Sequence, residues 1–173
     1  FEGTNFAYSA WVKADAVGYG RILSSKPIYT AETGFELTMQ NAANKAMMGG
    51  PTNKQTIVEV PNLTEDYVHL TAVYRDGGAR LYANGALVEA SIVNTGYTVI
   101  QADMGIGVGG NSHRAGGSQC WNGTLDEVRL RWTASSADWV AADYATQHNP
   151  NFAVLGALEE LEPATTLDVK NFR

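Results

Sequence analysis

The run Gly123 to Trp132, GTLDEVRLRW, places a carboxylate where a greasy side chain is expected. Val128, Leu130 and Trp132 share one phase of a two-residue period, and Asp126 falls on that phase too. An unpaired buried charge costs several kcal/mol, so an inward carboxylate needs compensation. Ca²⁺ is one form of it, because the ion takes about six to eight oxygens from carboxylates and carbonyls. Glu2 or Asp76, with backbone carbonyls, are the candidates to share such an ion. Two other outcomes stay open: a bulge that tips Asp126 outward, or hydrogen bonds from nearby backbone N–H groups. Glu127 points to the opposite face and reads as solvated.

A second group lies in the loop Gly109 to Trp121, GGNSHRAGGSQCW. Asn111, Ser112, His113, Arg114 and Gln119 stand among glycines that let a backbone approach a ligand. Sugar recognition needs planar amide and guanidinium donors for hydroxyls and an aromatic face for the C–H side of the ring. Asn111, His113, Arg114, Gln119 and Trp121 are therefore the candidate ligand-binding set, with Tyr19 and Arg21 as neighbours. A lone His113 reads as a surface histidine rather than a metal ligand. Trp11 and Trp139 read as packing residues.

Catalysis is not expected. A glycosidase needs two carboxylates flanking the scissile bond, roughly 5 to 10 Å apart. Asp126 and Glu127 are adjacent and face opposite ways in a regular strand. Glu32 and Glu36 flank a turn, and Glu159, Glu160 and Glu162 lie in an acidic tail. His69, His113 and His148 have no recognisable nucleophile nearby in sequence.

These side chains have to be positioned by strands. The stretch Tyr67 to Val93 reads as a three-stranded meander. Val68, Leu70, Ala72 and Tyr74 alternate with polar residues, Asp76-Gly77-Gly78 turns the chain, and Ala79, Leu81 and Ala83 alternate in their turn. Asn84-Gly85 is a type I′ hairpin signal, and Ala86 to Ile92 continues the pattern. Further strands are expected at Phe6–Lys13, Tyr19–Ser25, Phe35–Met39, Ala46–Met48, Gln55–Val60 and Met104–Val108. Then the period changes. Ala137, Val140, Ala141 and Tyr144 fall at helical spacing, which predicts a short helix over Ser136–Gln147 with Ser135 as N-cap. Phe152 to Leu158 reads as a closing strand. Residues 1–158 thus form one all-β domain, a two-sheet antiparallel sandwich with one short helix near its C-terminal end, and 159–173 a tail or linker.

Composition narrows the class. At 173 residues with 18 glycines the chain suits one glycine-rich β domain with a sizeable core. Its net charge of −6 and the lack of any basic stripe argue against nucleic acid. No apolar run approaches membrane-spanning length, so membrane insertion is not expected. The single Cys120 allows no internal disulfide. The start at Phe1, without an initiator Met, is expected of a processed chain or a piece of a longer one.

The ordered segments FAYSAWVKAD, GRILSS, GFELTMQ, VHLTAVYRDGGARLYANGALV, IGVGGNS and WNGTLDEVRLRW resemble the laminin-G-like, concanavalin-A-like lectin/glucanase superfamily of secreted bacterial multidomain proteins. The resemblance implies a jelly-roll sandwich, a structural calcium beside Asp126, and Trp121 as a core anchor ahead of Asn122-Gly123-Thr124. It also implies a secreted or cell-surface setting. The Glu-x-Asp-x-x-Glu run of the family's glucanases is missing. The strand that usually precedes SAWVK has only Phe1 to Asn5 in its place, and TTLDVKNF in the tail could fill such a gap in a neighbouring copy. Two functions follow as expectations. The first is a non-catalytic carbohydrate-binding or adhesion module whose partner is a glycan or surface protein. The second is a self-assembling subunit of a fibre or surface layer, a homo-oligomer joined by strand addition.

Overall fold

The computed structural model describes residues 5–16, 18–25, 34–39, 45–49, 55–60, 63–88, 93–94, 106–110 and 119–152. Among the described residues the elements run in the order β1 (Phe6–Ala14), β2 (Gly20–Ser24), β3 (Glu36–Met39), β4 (Lys45–Gly49), β5 (Gln55–Glu59), β6 (Val68–Arg75), β7 (Gly78–Ala83), β8 (Ala86–Leu87), β9 (Val93–Asn94), β10 (Gly107–Val108), β11 (Gly123–Arg131) and α1 (Ala137–His148). They form two antiparallel sheets. One has the order β11-β1-β6-β7-β8, with β9 also on β7; the other has the order β10-β2-β3-β4-β5. Among the described residues no helix is long and apolar enough to cross a membrane.

The core lies between the sheets and follows the alternation in sequence. Phe6, Tyr8, Ala10 and Val12 of β1 meet Val68, Leu70, Ala72 and Tyr74 of β6, Leu81 of β7, and Ile22, Phe35, Leu37 and Met39 across the interface. Aromatic rings dominate one end: Phe6 stacks on Tyr74 at 4.5 Å between centroids, and Tyr8 on Phe35 at 5.0 Å. The Tyr8 hydroxyl donates to the Glu36 carbonyl at 2.9 Å, so the buried phenol keeps a partner.

In the third ribbon of the meander, Ala86–Leu87 and Val93–Asn94 pair with opposite ends of β7, and 89–92 lie outside the described residues. Two sequence expectations change. The N-cap of α1 is Ser136, not Ser135; its side chain accepts from the Trp139 amide. The helix also turns a different face inward. Ala137 and Ala141 are exposed, while Val140 and Asp143 are buried. Val140 packs with Ala7, Val73 and Tyr82 on the side of the six-stranded sheet that faces away from the core. That sheet is therefore covered on both faces. The expected closing strand beyond Phe152 and the strand-donating tail 159–173 lie outside the described residues.

The Asn84-Gly85 hairpin fastens this second layer. Both residues have positive φ, 49° and 78°. Asn84 and His69 close the ladder, the Asn84 amide donating to the His69 carbonyl and the His69 amide to Asn84 Oδ1. A Cβ on Gly85 would stand 3.1 Å from Tyr144 Cβ. Gly85→Ala is therefore expected to cost about 1–2 kcal/mol from backbone strain alone, with crowding against α1 added. A lowered urea midpoint at unchanged slope checks it.

Candidate functional site

Trp11 sits mid-strand in β1, paired with His69 on one side and Asp126 on the other. Its phase points away from the core, under α1. The Trp11 ring lies 5.1 Å from His69, 5.7 Å from Tyr144 and 6.3 Å from His148. Its indole N–H donates to Gln147 Oε1 at 2.7 Å, and Gln147 Nε2 donates to the Asp143 carbonyl. The last turn of the helix is thus locked onto the strand.

β11 supplies the third wall through a bulge. Ser9 pairs with Arg129 and Trp11 with Asp126, so Glu127 and Val128 together face Ala10. Glu127 has φ 49°, and the Asp126 carboxylate accepts from the Glu127 amide at 2.8 Å. The extra residue reverses the phase. Leu125 and Val128 both pack on the core, and Asp126 turns outward beside Trp11. The inward carboxylate inferred from simple alternation is corrected: Asp126 is exposed. Glu127 then holds Arg129, whose Nη1 donates to Asp143 Oδ1 on α1 at 2.8 Å.

Beneath the helix, His69 is 1% exposed and neither ring nitrogen makes a hydrogen bond. Its Nε2 lies 3.9 Å from Asp143 Oδ2. Burial pushes the imidazole below its ordinary value; the Asp143 carboxylate opposes this and the Arg129 guanidinium adds to it.

Between these walls opens a solvent-facing cleft of about 480 Å³ lined by Trp11, Tyr67, Asp126, Glu127, Gln147 and His148. Tyr67 is 44% exposed, and the Lys13 ammonium lies 5.7 Å from its ring centroid. The cleft offers two aromatic rings, two carboxylates and an imidazole to one ligand. No sequence signal assembled it, because its residues come from four separate segments. The adjacent carboxylates of the Asp-Glu bulge were the visible trace.

Of the candidate ligand-binding set in the 109–121 loop, Gln119 and Trp121 are described. Gln119 Oε1 accepts from Nε of the fully buried Arg21 at 2.9 Å, and Cys120 bridges to Arg21, so Arg21 does neighbour the loop. Trp121 packs half-buried on the core and its indole donates to the Thr124 carbonyl. Gly20 permits the approach, since a Cβ there would lie 3.2 Å from the Cys120 carbonyl oxygen. Tyr19 lies with Cys120 along a smaller cavity of about 120 Å³, and burial raises its phenol pKa, the Glu36 charge adding and the Arg21 charge opposing. Asn111, His113 and Arg114 lie outside the described residues, as does Glu2.

Asp76 and Asp126 are not brought together. Asp76 accepts from Asn5 at one end of β1, while Asp126 pairs with Trp11 six residues on, about 20 Å of extended chain away. Among the described residues no three His, Cys, Asp or Glu side chains form a metal-holding group. Of the residues named for a calcium, Asp76 and Asp126 stand apart and Glu2 lies outside the described residues.

The sequence model of the concanavalin A-like lectin/glucanases superfamily matches residues 1–141. The chain belongs to this superfamily. The match bears out the laminin-G-like resemblance and the sandwich expected from it. No curated protein sequence matches the chain. Among solved structures, a Bacteroides ovatus protein described as carbohydrate-binding superposes with TM-score 0.67 at 19% identity, over 82% of this chain and 41% of its own. The chain thus spans under half of that protein. Domain 4 of an extracellular GH43 arabinanase from Geobacillus stearothermophilus, solved with arabinotriose, gives 0.65 at 18% identity, over 84% and 68%. A heptameric SAP-like pentraxin from Limulus polyphemus gives 0.61 at 15%, over 83% and 70%. At these identities the likeness is one of fold.

Two outcomes follow for this superfamily member. Above pH about 6.5, His69 is neutral folded or unfolded. As pH falls through that value the unfolded chain takes up a proton that the folded chain resists, so stability drops until the lower folded pKa is reached. The slope is at most about 1.4 kcal/mol per pH unit for one proton. Urea midpoints should fall from pH 8 to pH 5, and His69→Gln should flatten the profile. Thermal melting in EDTA should leave the midpoint unchanged; a drop of several degrees would reveal an ion held through other residues.

Proposed function

We propose that this chain is a non-catalytic carbohydrate-binding module and that sugar docks in the Trp11 cleft. The observation that carries the reading is the cleft's lining: the rings of Trp11 and Tyr67 beside the Asp126 and Glu127 carboxylates. Aromatic faces shed water against the C–H side of a sugar ring, and carboxylates accept from its hydroxyls. A volume of about 480 Å³ lies within the usual range for small-molecule sites, about 300–1,000 Å³. The descriptions of two structural neighbours, one carbohydrate-binding and one solved with arabinotriose, support the same ligand class. The two carboxylates are sequence neighbours on one bulge, not groups on opposite walls of a scissile bond, which supports binding without hydrolysis. We place the module outside the cell or at its surface, in keeping with the family. Calcium has no role in this proposal, and no observation among the described residues favours self-assembly by strand addition.

A glycan array identifies the ligand, and titration calorimetry then measures it against variants. Tyr67→Ala should weaken binding at least tenfold, about 1.4 kcal/mol, while His113→Ala with Arg114→Ala should leave it intact. The reverse pattern would move the sugar to the 109–121 loop.

A further inference from the structure

We infer that the Trp11 cleft selects a cationic amino sugar, one with a free ammonium group, over acetylated or acidic sugars. The inference rests on the carbohydrate-binding reading and deepens it. Three observations lead to it.

The first is that the Trp11, Gln147 and Arg129 donors beside the cleft are engaged within the protein. The Trp11 indole N–H is given to Gln147, the Gln147 amide N–H to the Asp143 carbonyl, and the Arg129 guanidinium to Glu127 and Asp143. Of the lining, the Asp126 and Glu127 carboxylates can only accept, so a ligand group that meets them has to donate.

The second is the charge balance. Asp126, Glu127 and Asp143 stand against Arg129 and Lys13, and Arg129 divides itself between two of the three carboxylates. Asp126 accepts from a backbone amide, no cation among the described residues pairs with it, and it lines the cleft. A carboxylated sugar would meet this field as a like charge; an ammonium group would complete it.

The third is the aromatic wall. Tyr67 already holds one ammonium, that of Lys13, within the distance at which a ring's negative face attracts a cation. Tyr67 and Asp126 line the same cleft, so a sugar held there has both an aromatic ring and a carboxylate in its surroundings. An N-acetyl group removes that charge and the attraction with it. The rings of Trp11 and Tyr67 distinguish this from a simple acidic patch, because they give the sugar ring itself a surface to rest on.

The test compares glucosamine tetramer, its N-acetylated counterpart and a galacturonic acid tetramer by calorimetry, at a pH that keeps the free amine charged. The free amine should bind at least tenfold tighter than the acetylated form, the acidic tetramer should not bind, and added salt should narrow the preference. Asp126→Asn keeps an oxygen for the Glu127 amide, so the bulge stays formed; it should cut the ratio of the first two affinities to about twofold. Equal affinities for the three tetramers, or a preference that survives Asp126→Asn, would overturn the inference while leaving sugar binding in place. If none of them binds and no array glycan depends on Tyr67, the carbohydrate reading itself fails and this inference with it.

Discussion

One inserted residue in β11 governs the outer side of this sandwich. Opposite Ala10 the chain spends two residues, Glu127 and Val128, where regular pairing would spend one. The core phase is preserved on both sides of the insertion, with Leu125 facing in before it and Val128 and Leu130 after it. The polar phase is what changes. Asp126 and Glu127 both reach solvent, and Glu127 steadies the Arg129 side chain that crosses to Asp143 on α1. A left-handed conformation at a non-glycine residue costs roughly 1–2 kcal/mol, and the Asp126 carboxylate on the Glu127 amide offsets part of that.

The helix seat shows how a polar face becomes a buried one. Val140 with Ala7, Val73 and Tyr82, flanked by Leu87, Ala134 and Trp139, forms the apolar part of the seat of this twelve-residue helix. The rest of the seat is polar or aromatic: Arg129 to Asp143, Trp11 to Gln147, and the stack of Trp11, His69, Tyr144 and His148. Arg129 is about a third exposed, so its bond to Asp143 is worth less than a fully buried pair and fixes position more than it adds stability. His69 is the tension in this arrangement, a buried imidazole without hydrogen bonds whose neutral form suits the fold. The same contacts that dock the helix also shape the cleft, because Gln147 and His148 belong to its last turn.

Local pattern made the sandwich legible. Alternation in Phe6–Val12, Val68–Tyr74 and Ala79–Ala83 located the strands and chose their inward faces, since a period of two has one registration with a single core. The 109–121 loop returns to β2 as anticipated, yet Gln119 and Trp121 serve its base: one holds Arg21 and the other packs on the core. Alternation misled at Asp126 for a physical reason. It assumes no insertion, and a bulge carries little signal beyond an Asp able to bond the next amide. The helix face misled similarly. Ala137 and Ala141 looked suited to burial, but β11 and β6 present Arg129 and His69, and the charged Asp143 answers them.

The sequence by itself determined the two-layer architecture, the greasy faces of the central strands and the position of α1. It did so because burial of alternating apolar side chains is a local property repeated along each strand. The tertiary structure alone decided where the open cleft forms. Trp11, Tyr67, Asp126 and Gln147 are far apart in the chain, and only strand register, one bulge and the docking angle of α1 bring them to a common cleft. Proximity of that kind is set by long-range pairing, which no window of neighbouring residues encodes.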